Sequence, residues 1–153
     1  MMPRWKGTEG LSQVATRLWM MTAPNPGPFT ASGTNTFLVG EDELVVIDPG
    51  PAGKNGHVDR LLSAIEHRRI IGVALTHHHH DHTGATDELC RRSGATVMTV
   101  NQLQAFGIET IAAPGHTSDH VVFRISGSLL TGDHIFAETS TFIDWPDGNL
   151  DDF

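Results

Sequence analysis

Metal-ligand side chains are concentrated in the middle of this 153-residue chain, where residues 76–82 run Thr-His-His-His-His-Asp-His. The run directly follows Ile70–Leu75, whose apolar side chains are typical of a strand buried on both faces. Imidazole and carboxylate groups packed this densely at a strand end destabilise a fold unless something pairs with them, and a metal ion can do so. Because residues i and i+2 of an extended segment point the same way, His77 and His79 can share one ion.

Asp81 and His82 follow the bend at which the next helix is expected to begin, and from there they can reach a second ion. The histidine run also has two alternative interpretations. One is a purification tag, although tags lie at chain termini and this run lies mid-chain. The second is a histidine-rich loop with no fixed metal.

Two later segments each place a further candidate ligand after an apolar strand. Pro114-Gly115 predicts a tight turn that presents the ring of His116, which can supply the third nitrogen of a zinc site with an open fourth position. Asp133 follows Thr131-Gly132 and can bridge two ions. A solvated surface histidine and a turn aspartate are the alternatives. Imidazole and carboxylate ligands without thiolate suit zinc, and also iron or manganese.

Hydrophobic periodicity places these candidates at the ends of regular elements. Two helices are predicted, at His57–Arg68 and at Thr83–Ser93, the second closed by Gly94 at its C-terminal cap. Thr22–Thr34 is predicted to be a loop, and Glu138–Phe153 is expected to be mostly loop with a helix opening near its end. The predicted strands are Thr16–Met21, Thr36–Val39, Leu44–Ile47, Ile70–Leu75, Ala95–Val100, Ile108–Ala112, Val121–Ile125 and Leu129–Thr131. This order predicts a mixed sheet or two stacked sheets with helices outside.

The composition is that of one globular domain, which we expect to cover residues 1–153. A net charge of −8 argues against a general nucleic-acid surface, which needs clustered Lys and Arg. RNA held by metal ions stays open, because bound dications invert the local field. The one cysteine, Cys90, cannot form an intrachain disulfide and is expected to be a small core residue.

No membrane segment is expected, because the sequence has no run of about 18 apolar residues. Met1–Gly10 carries charge and has no apolar region of the signal-peptide type. These features predict a cytoplasmic location.

The candidate segments match the metallo-β-lactamase superfamily. Its H-x-H-x-D-H motif corresponds to residues 77–82, its Pro-Gly-His-Thr segment to 114–117, and its Thr-Gly-Asp segment to 131–133. The chain therefore resembles this superfamily, which implies an α+β fold of the αββα sandwich type. The implied ligands are His77, His79 and His116 on the first metal, Asp81 and His82 on the second, and Asp133 as the bridge.

One subgroup, β-lactamase-like protein 2 and its bacterial relatives, is similar from about Thr16 to Asp152. In the family, the last metal ligand is a histidine of a C-terminal segment, and no histidine follows His134 in this sequence. The resemblance therefore implies a truncated or partial C-terminal part and a second metal site that binds more weakly. The segments that carry this similarity are residues 25–30, 33–40, 46–50 and 115–120.

The resemblance implies a metal-dependent hydrolase. Two ions about 3.5–4 Å apart, zinc or alternatively iron or manganese, would hold a bridging water and lower its pKa. The resulting hydroxide would attack an ester, thioester or phosphodiester of a small molecule. Asp81 would be catalytic as well as a ligand, because it would orient this nucleophile. Asp48 is a candidate to fix a ligand imidazole, and a turn aspartate that caps its own backbone is the alternative.

Several alternatives remain open. RNA-cleaving relatives keep RNA among the candidate substrates, although the net charge does not favour it. The rival functions are an iron-dependent redox enzyme of the same fold and a non-catalytic or half-site metal-binding protein that pairs with another chain. A homo-oligomer is compatible with each of these rival functions. His120 is expected near the substrate, whereas His78, His80 and His134 are not expected to be ligands.

Overall fold

The computed structural model describes residues 10–53, 56–136 and 139–153. The described chain forms two compact units. The first unit contains the residues up to Ala74 together with His79–Val97, and the second unit contains Leu75–His78 together with Met98–Phe153. A single domain over residues 1–153 stays a prediction. The expectation about Met1–Gly10 lies, apart from Gly10, outside the described residues.

A mixed sheet forms the framework of the first unit. Its strands lie in sequence order, antiparallel from β1 to β4 and parallel from β4 to β6. The strands are β1 Ser12–Ala15, β2 Leu18–Thr22, β3 Asn35–Gly40, β4 Glu43–Ile47, β5 Arg69–Ala74 and β6 Thr96–Val97. Val45 and Val46 point to opposite faces of β4 and both are fully buried, so the centre of the sheet is covered on both sides.

The first two strands correct one prediction. A strand was expected over Thr16–Met21, and β2 confirms it from Leu18 onwards, but Thr16 and Arg17 form the turn of a hairpin whose first strand, β1, was not predicted. Arg17 has a φ of 57°, a left-handed conformation that breaks extended backbone. β1 has no fully buried side chain, so the apolar signal on which the prediction depended is weak there.

The helices of the first unit are shorter than the sequence predicts. α1 covers His57–Ala64 rather than His57–Arg68, and Glu66, just beyond it, has a left-handed φ of 56°. The helix predicted over Thr83–Ser93 is two short helices, α2 His80–Thr83 and α3 Thr86–Ser93. α3 ends at Gly94 with a φ of 79°, which confirms the predicted cap.

A three-stranded antiparallel sheet lies in the second unit, with the order β7 Glu109–Ala112, β8 Val121–Ile125 and β9 Ser128–Leu130. The strand predicted over Ala95–Val100 is wrong beyond Val97, because helix α4 occupies Val100–Phe106. The missed signal was the capping box, in which Thr99 and Gln102 satisfy each other's backbone N–H groups. The predicted C-terminal helix is a single 3₁₀ turn at Leu150–Asp152.

The mixed sheet and its helices confirm the predicted α+β class. Among the described residues, no helix is long and apolar enough to cross a membrane. Cys90 is half-buried in α3 rather than fully buried, and burial raises the pKa of its thiol.

The parallel pair β4 and β5 determines where polar side chains collect in the first unit. Asp48 follows β4, and its N–H donates to the carbonyl of Ala74 at the end of β5 over 3.0 Å. The carboxyl ends of adjacent parallel strands meet at one edge of a sheet, where α/β proteins place their ligands. The histidine run begins at His77, shortly after the end of β5.

Candidate metal centre

Three of the predicted ligands come together in the second unit. His77, His116 and Asp133 each offer a ligand atom, and these atoms lie within 4.8 Å of one another. The His77 and His116 rings meet edge to face with centroids 5.0 Å apart, and His116 Nε2 lies 3.8 Å from Asp133 Oδ2. Both imidazoles are at most 3% exposed, so the cluster is shielded from bulk water on the histidine side.

Main-chain contacts explain why these residues meet. The carbonyl of Thr76 accepts from the N–H of Val121, which fastens the start of the histidine run to β8. Gly132 has a φ of 50°, and a Cβ at this position would lie 2.8 Å from Thr76 Oγ1. The Thr-Gly-Asp segment therefore needs glycine for its close approach to the residue that precedes His77.

The protonation pattern of His116 follows from its partners. Its Nδ1 faces the carbonyl of Phe142 at hydrogen-bonding distance, and a carbonyl can only accept. Nδ1 therefore carries the proton, and Nε2 keeps its lone pair on the side that faces Asp133. This is the tautomer that a metal ligand requires.

Two further histidines lie beside this cluster. His120 is 1% exposed and stacks on His77 with ring centroids 4.8 Å apart. His134 stacks on Phe153 at 4.3 Å, and burial, followed by the nearby His116, lowers its pKa. A place for His120 near the substrate stays a prediction.

The remaining predicted ligands belong to the first unit and lie in or next to α2. His79 is the N-cap residue of this helix, with extended backbone at φ −58° and ψ 139°. His82 Nε2 lies 3.5 Å from Asp81 Oδ2, and its Nδ1 lies 2.8 Å from Asp48 Oδ2. Asp48 and His82 are both buried, so the carboxylate fixes the orientation of the imidazole, which is one of the two roles that the sequence leaves open for Asp48.

A hydroxyl that sequence reasoning missed holds Asp81. Thr34 Oγ1 donates to Asp81 Oδ2 over 3.0 Å and accepts from Asn25 Nδ2 over 3.1 Å. Asn25 Oδ1 in turn accepts from the N–H of Thr34 over 3.0 Å. The predicted loop Thr22–Thr34 is thus folded on itself and presents Thr34 to α2. The asparagine in its Pro-rich segment was the available signal.

His57 was also missed, because its place at the start of a helix carries no ligand motif. Its Nε2 lies 2.8 Å from Thr36 Oγ1, and the side chain is 1% exposed. Burial, followed by the charge of Arg60, lowers the pKa of His57 to about 4. The ring packs against Gly50, where a Cβ would lie 2.9 Å from His57 Cδ2. Gly50 N–H donates to the His82 carbonyl over 3.0 Å, which links this contact to α2.

The histidines not expected to be ligands are more exposed than His77, His82 and His116. His78 lies on the surface of the second unit with its Nδ1 2.9 Å from Asp119 Oδ1. This hydrogen bond is the main reason that the pKa of His78 is raised. His80 is exposed in α2.

The chemistry of the donors suits a divalent metal ion. Each unit contains imidazole nitrogens and carboxylate oxygens, which are ligands of zinc, iron and manganese. Two of the predicted ligand histidines, His82 and His116, have Nδ1 on a carboxylate or carbonyl oxygen and Nε2 towards a carboxylate. These His and Asp groups can therefore hold a divalent metal.

Comparison with known proteins settles the family. The model of the metallo-beta-lactamase superfamily matches residues 29–107, just over half of the chain. The chain belongs to the metallo-β-lactamase superfamily. The match includes the histidine run and ends before His116 and Asp133.

Individual relatives align with this metallo-β-lactamase-fold chain over many more residues than the family model does. An atrochrysone carboxyl ACP thioesterase, dmxR1 of Cryptosporiopsis sp. (strain 8999), is 30% identical over 89% of this chain and 49% of its own length. A beta-lactamase-like protein 2 homolog of Caenorhabditis elegans is 27% identical over 92% of this chain and 57% of its own length. The crystal structure of ETHE1 from Myxococcus xanthus superimposes with a TM-score of 0.64 and 26% identity over 78% of this chain and 60% of that chain. The chain spans about half the length of the curated relatives it matches.

Proposed function

We propose that the chain is a metal-dependent hydrolase with a dinuclear centre. His77, His79 and His116 would hold the first ion, Asp81 and His82 the second, and Asp133 would bridge them. The observation that carries this proposal is the prearranged group of His77, His116 and Asp133 in the second unit. The chain continues from His77 into the first unit within two residues, which brings His79, Asp81 and His82 into the same short segment.

Divalent ions bound by such ligands act as Lewis acids and bring the pKa of a water ligand towards neutrality. The residues of the chain prepare the site for this chemistry. Asp48 and the Phe142 carbonyl keep the His82 and His116 rings in the Nδ1–H tautomer. Thr34 donates to Asp81 Oδ2 and so restrains the carboxylate that would orient the nucleophile.

Zinc is the proposed metal. A site of imidazole and carboxylate ligands with an open position is the usual form of catalytic zinc. Iron and manganese accept the same donors, so metal analysis of the purified protein decides among the three.

A small-molecule thioester is the favoured substrate. Relatives named as ACP thioesterases support this class over phosphodiesters. Exposed apolar side chains follow or adjoin the ligands of the second unit, namely Ile135, Phe136 and Phe142, and they suit an apolar acyl group. The net charge of −8 does not favour RNA.

The proposal is tested by hydrolysis assays on purified protein. S-acyl N-acetylcysteamine thioesters and bis-nitrophenyl phosphate are supplied with added zinc, with added iron, and with a chelator. We expect thioester turnover that the chelator abolishes and that His79→Ala removes, whereas His80→Ala at the exposed neighbouring position retains it. Metal binding without turnover of either substrate would instead support a non-catalytic metal-binding protein.

A further inference from the structure

The segment Thr141–Asn149 of the second unit, which we call the strap, contacts the turn that carries His116. The N–H of Asp144 donates to the His116 carbonyl over 3.0 Å, and the N–H of Asn149 donates to the Gly115 carbonyl over 2.9 Å. Both hydrogen bonds join main-chain atoms, so they fix the backbone of this turn independently of the side chains around it. The strap therefore determines the position from which the His116 ring projects.

The far end of this turn is held by a carboxylate. Asp147 accepts from the backbone N–H of Ser118 over 2.9 Å and from its hydroxyl over 2.6 Å. Gly148 allows the close approach, because a Cβ there would lie 2.3 Å from the His116 carbonyl oxygen. The strap therefore forms hydrogen bonds with the turn on both sides of His116.

Thr141 connects two proposed ligands at once. Its hydroxyl donates to the backbone carbonyl of Asp133 at hydrogen-bonding distance and lies 3.4 Å from His116 Nδ1. A hydroxyl has one proton to give and lone pairs to accept with, so it can donate to Asp133 while the imidazole N–H is shared between Thr141 Oγ1 and the Phe142 carbonyl. One side chain therefore ties the turn of Asp133 to the ring of His116.

We propose that Thr141 is a positioning residue for the metal centre, which holds His116 and Asp133 in their ligating arrangement before a metal arrives. This inference rests on the proposed function, because it takes both residues as ligands. Loss of an outer hydrogen bond that orients a ligand typically lowers metal affinity about tenfold to a hundredfold. Preorganisation of this kind acts on affinity, and it should not change the fold.

The test compares three variants in zinc competition with a chromophoric chelator. Thr141→Val removes the hydroxyl and keeps the shape, and we expect a zinc dissociation constant about tenfold to a hundredfold higher. Thr141→Ser keeps the hydroxyl and should restore affinity to near wild type. Thr139→Val is the matched control, because Thr139 is exposed and its hydroxyl reaches the Ser140 carbonyl at 3.5 Å. A folded Thr141→Val protein with wild-type zinc affinity would overturn the inference.

A second readout uses the metal-free protein and separates this inference from the proposed function. ¹⁵N NMR of the imidazoles should show His116 protonated on Nδ1 in the wild type and in Thr141→Val, because the Phe142 carbonyl is present in both, with the His116 ring resonances shifted in Thr141→Val because the contact with the Thr141 hydroxyl is lost. A wild-type His116 protonated on Nε2, or a Thr141→Val spectrum identical to wild type, would refute the role of Thr141. A wild-type protein that binds no metal yet shows the expected tautomer would refute the proposed function alone.

Discussion

His82 in the first unit and His116 in the second unit are held by different kinds of partner. Each has its Nδ1 on an oxygen acceptor and its Nε2 towards a carboxylate. The acceptor for His82 is the side chain of buried Asp48, at the end of a central strand. The acceptor for His116 is the main-chain carbonyl of Phe142, in a segment without regular structure.

This difference determines how the orientation of each proposed ligand can be disturbed. A side-chain acceptor is removed by one substitution, whereas a main-chain carbonyl is displaced only by moving its segment. We therefore expect the orientation of His82 to respond to a change at the single buried side chain of Asp48. The orientation of His116 should respond to changes in the strap that carries Phe142, including changes at Thr141. Four sets of variants test this contrast between the units.

Removal of the proposed bridging ligand should have the largest effect. Asp133→Ala is expected to lose both metal ions and all turnover, because a bridge serves both sites. Asp81→Ala in the first unit should retain one ion. Metal content by inductively coupled plasma mass spectrometry measures both, with the exposed residue change Asp152→Ala as the control. Equal metal content in Asp133→Ala and wild type would contradict the bridging role.

Backbone geometry in the second unit is tested at Gly132. Gly132→Ala combines a left-handed φ of 50° with a Cβ 2.8 Å from Thr76 Oγ1. We expect it to lower the free energy of unfolding by about 2–5 kcal/mol, from the backbone conformation and the overpacking together. Gly127→Ala is the matched control, since it has a φ of 86° and nothing within 4 Å of the added Cβ. Urea denaturation of both variants gives the comparison, and equal losses would show that the close approach to Thr76 is unimportant.

Acid sensitivity in the first unit should depend on His57. Its pKa is lowered from 6.5 to about 4 in the folded protein, so the unfolded chain binds the proton first as the pH falls. Stability from this residue is therefore complete above pH 6.5 and is lost between pH 6.5 and 4, by about 3 kcal/mol in total. Urea unfolding from about pH 7 to about pH 4.5 should show a flatter pH dependence in His57→Gln than in wild type. A parallel dependence in both proteins would exclude His57 as the source.

The smallest expected effect is that of the Asp48 carboxylate on metal affinity. Asp48→Asn keeps a residue that tolerates the left-handed φ of 52° but weakens the control of the His82 tautomer. Zinc affinity should fall about tenfold to a hundredfold at one of the two sites, which corresponds to about 1.4–2.7 kcal/mol. Isothermal titration calorimetry measures the change, with exposed Asp42→Asn as the control. If both zinc sites of Asp48→Asn kept wild-type affinity, the Asp48 carboxylate would have no role in orienting His82 for metal binding, and the contrast with His116 would be contradicted.

Local signals in the sequence predicted the parts of the molecule that depend on local chemistry. Apolar runs located the buried strands β4 and β5, and Gly94 located the end of α3. Asp48 was one candidate to fix a ligand imidazole because it ends a strand and carries a carboxylate, but a turn aspartate was the alternative, and the sequence did not indicate that His82 is its partner.

Contacts made through loops and main-chain atoms were not predictable in the same way. The Phe142 carbonyl carries no side-chain signal, and Thr141 lies 25 residues from His116 in a segment without periodicity. Thr34 reaches Asp81 across 47 residues, and only the folded loop brings them together. Helix α4 was missed for a different reason, since its capping box at Thr99 and Gln102 was a local signal that the apolar run before it obscured.

Zinc titration of the metal-stripped protein, followed by native mass spectrometry, tests the dinuclear centre most directly. We predict two zinc ions per wild-type chain, one ion in His82→Ala with the first site intact, and loss of the ion at the first site in His116→Ala. A wild-type chain that binds no zinc, or two ions bound in both variants as in wild type, would contradict a centre built from these ligands.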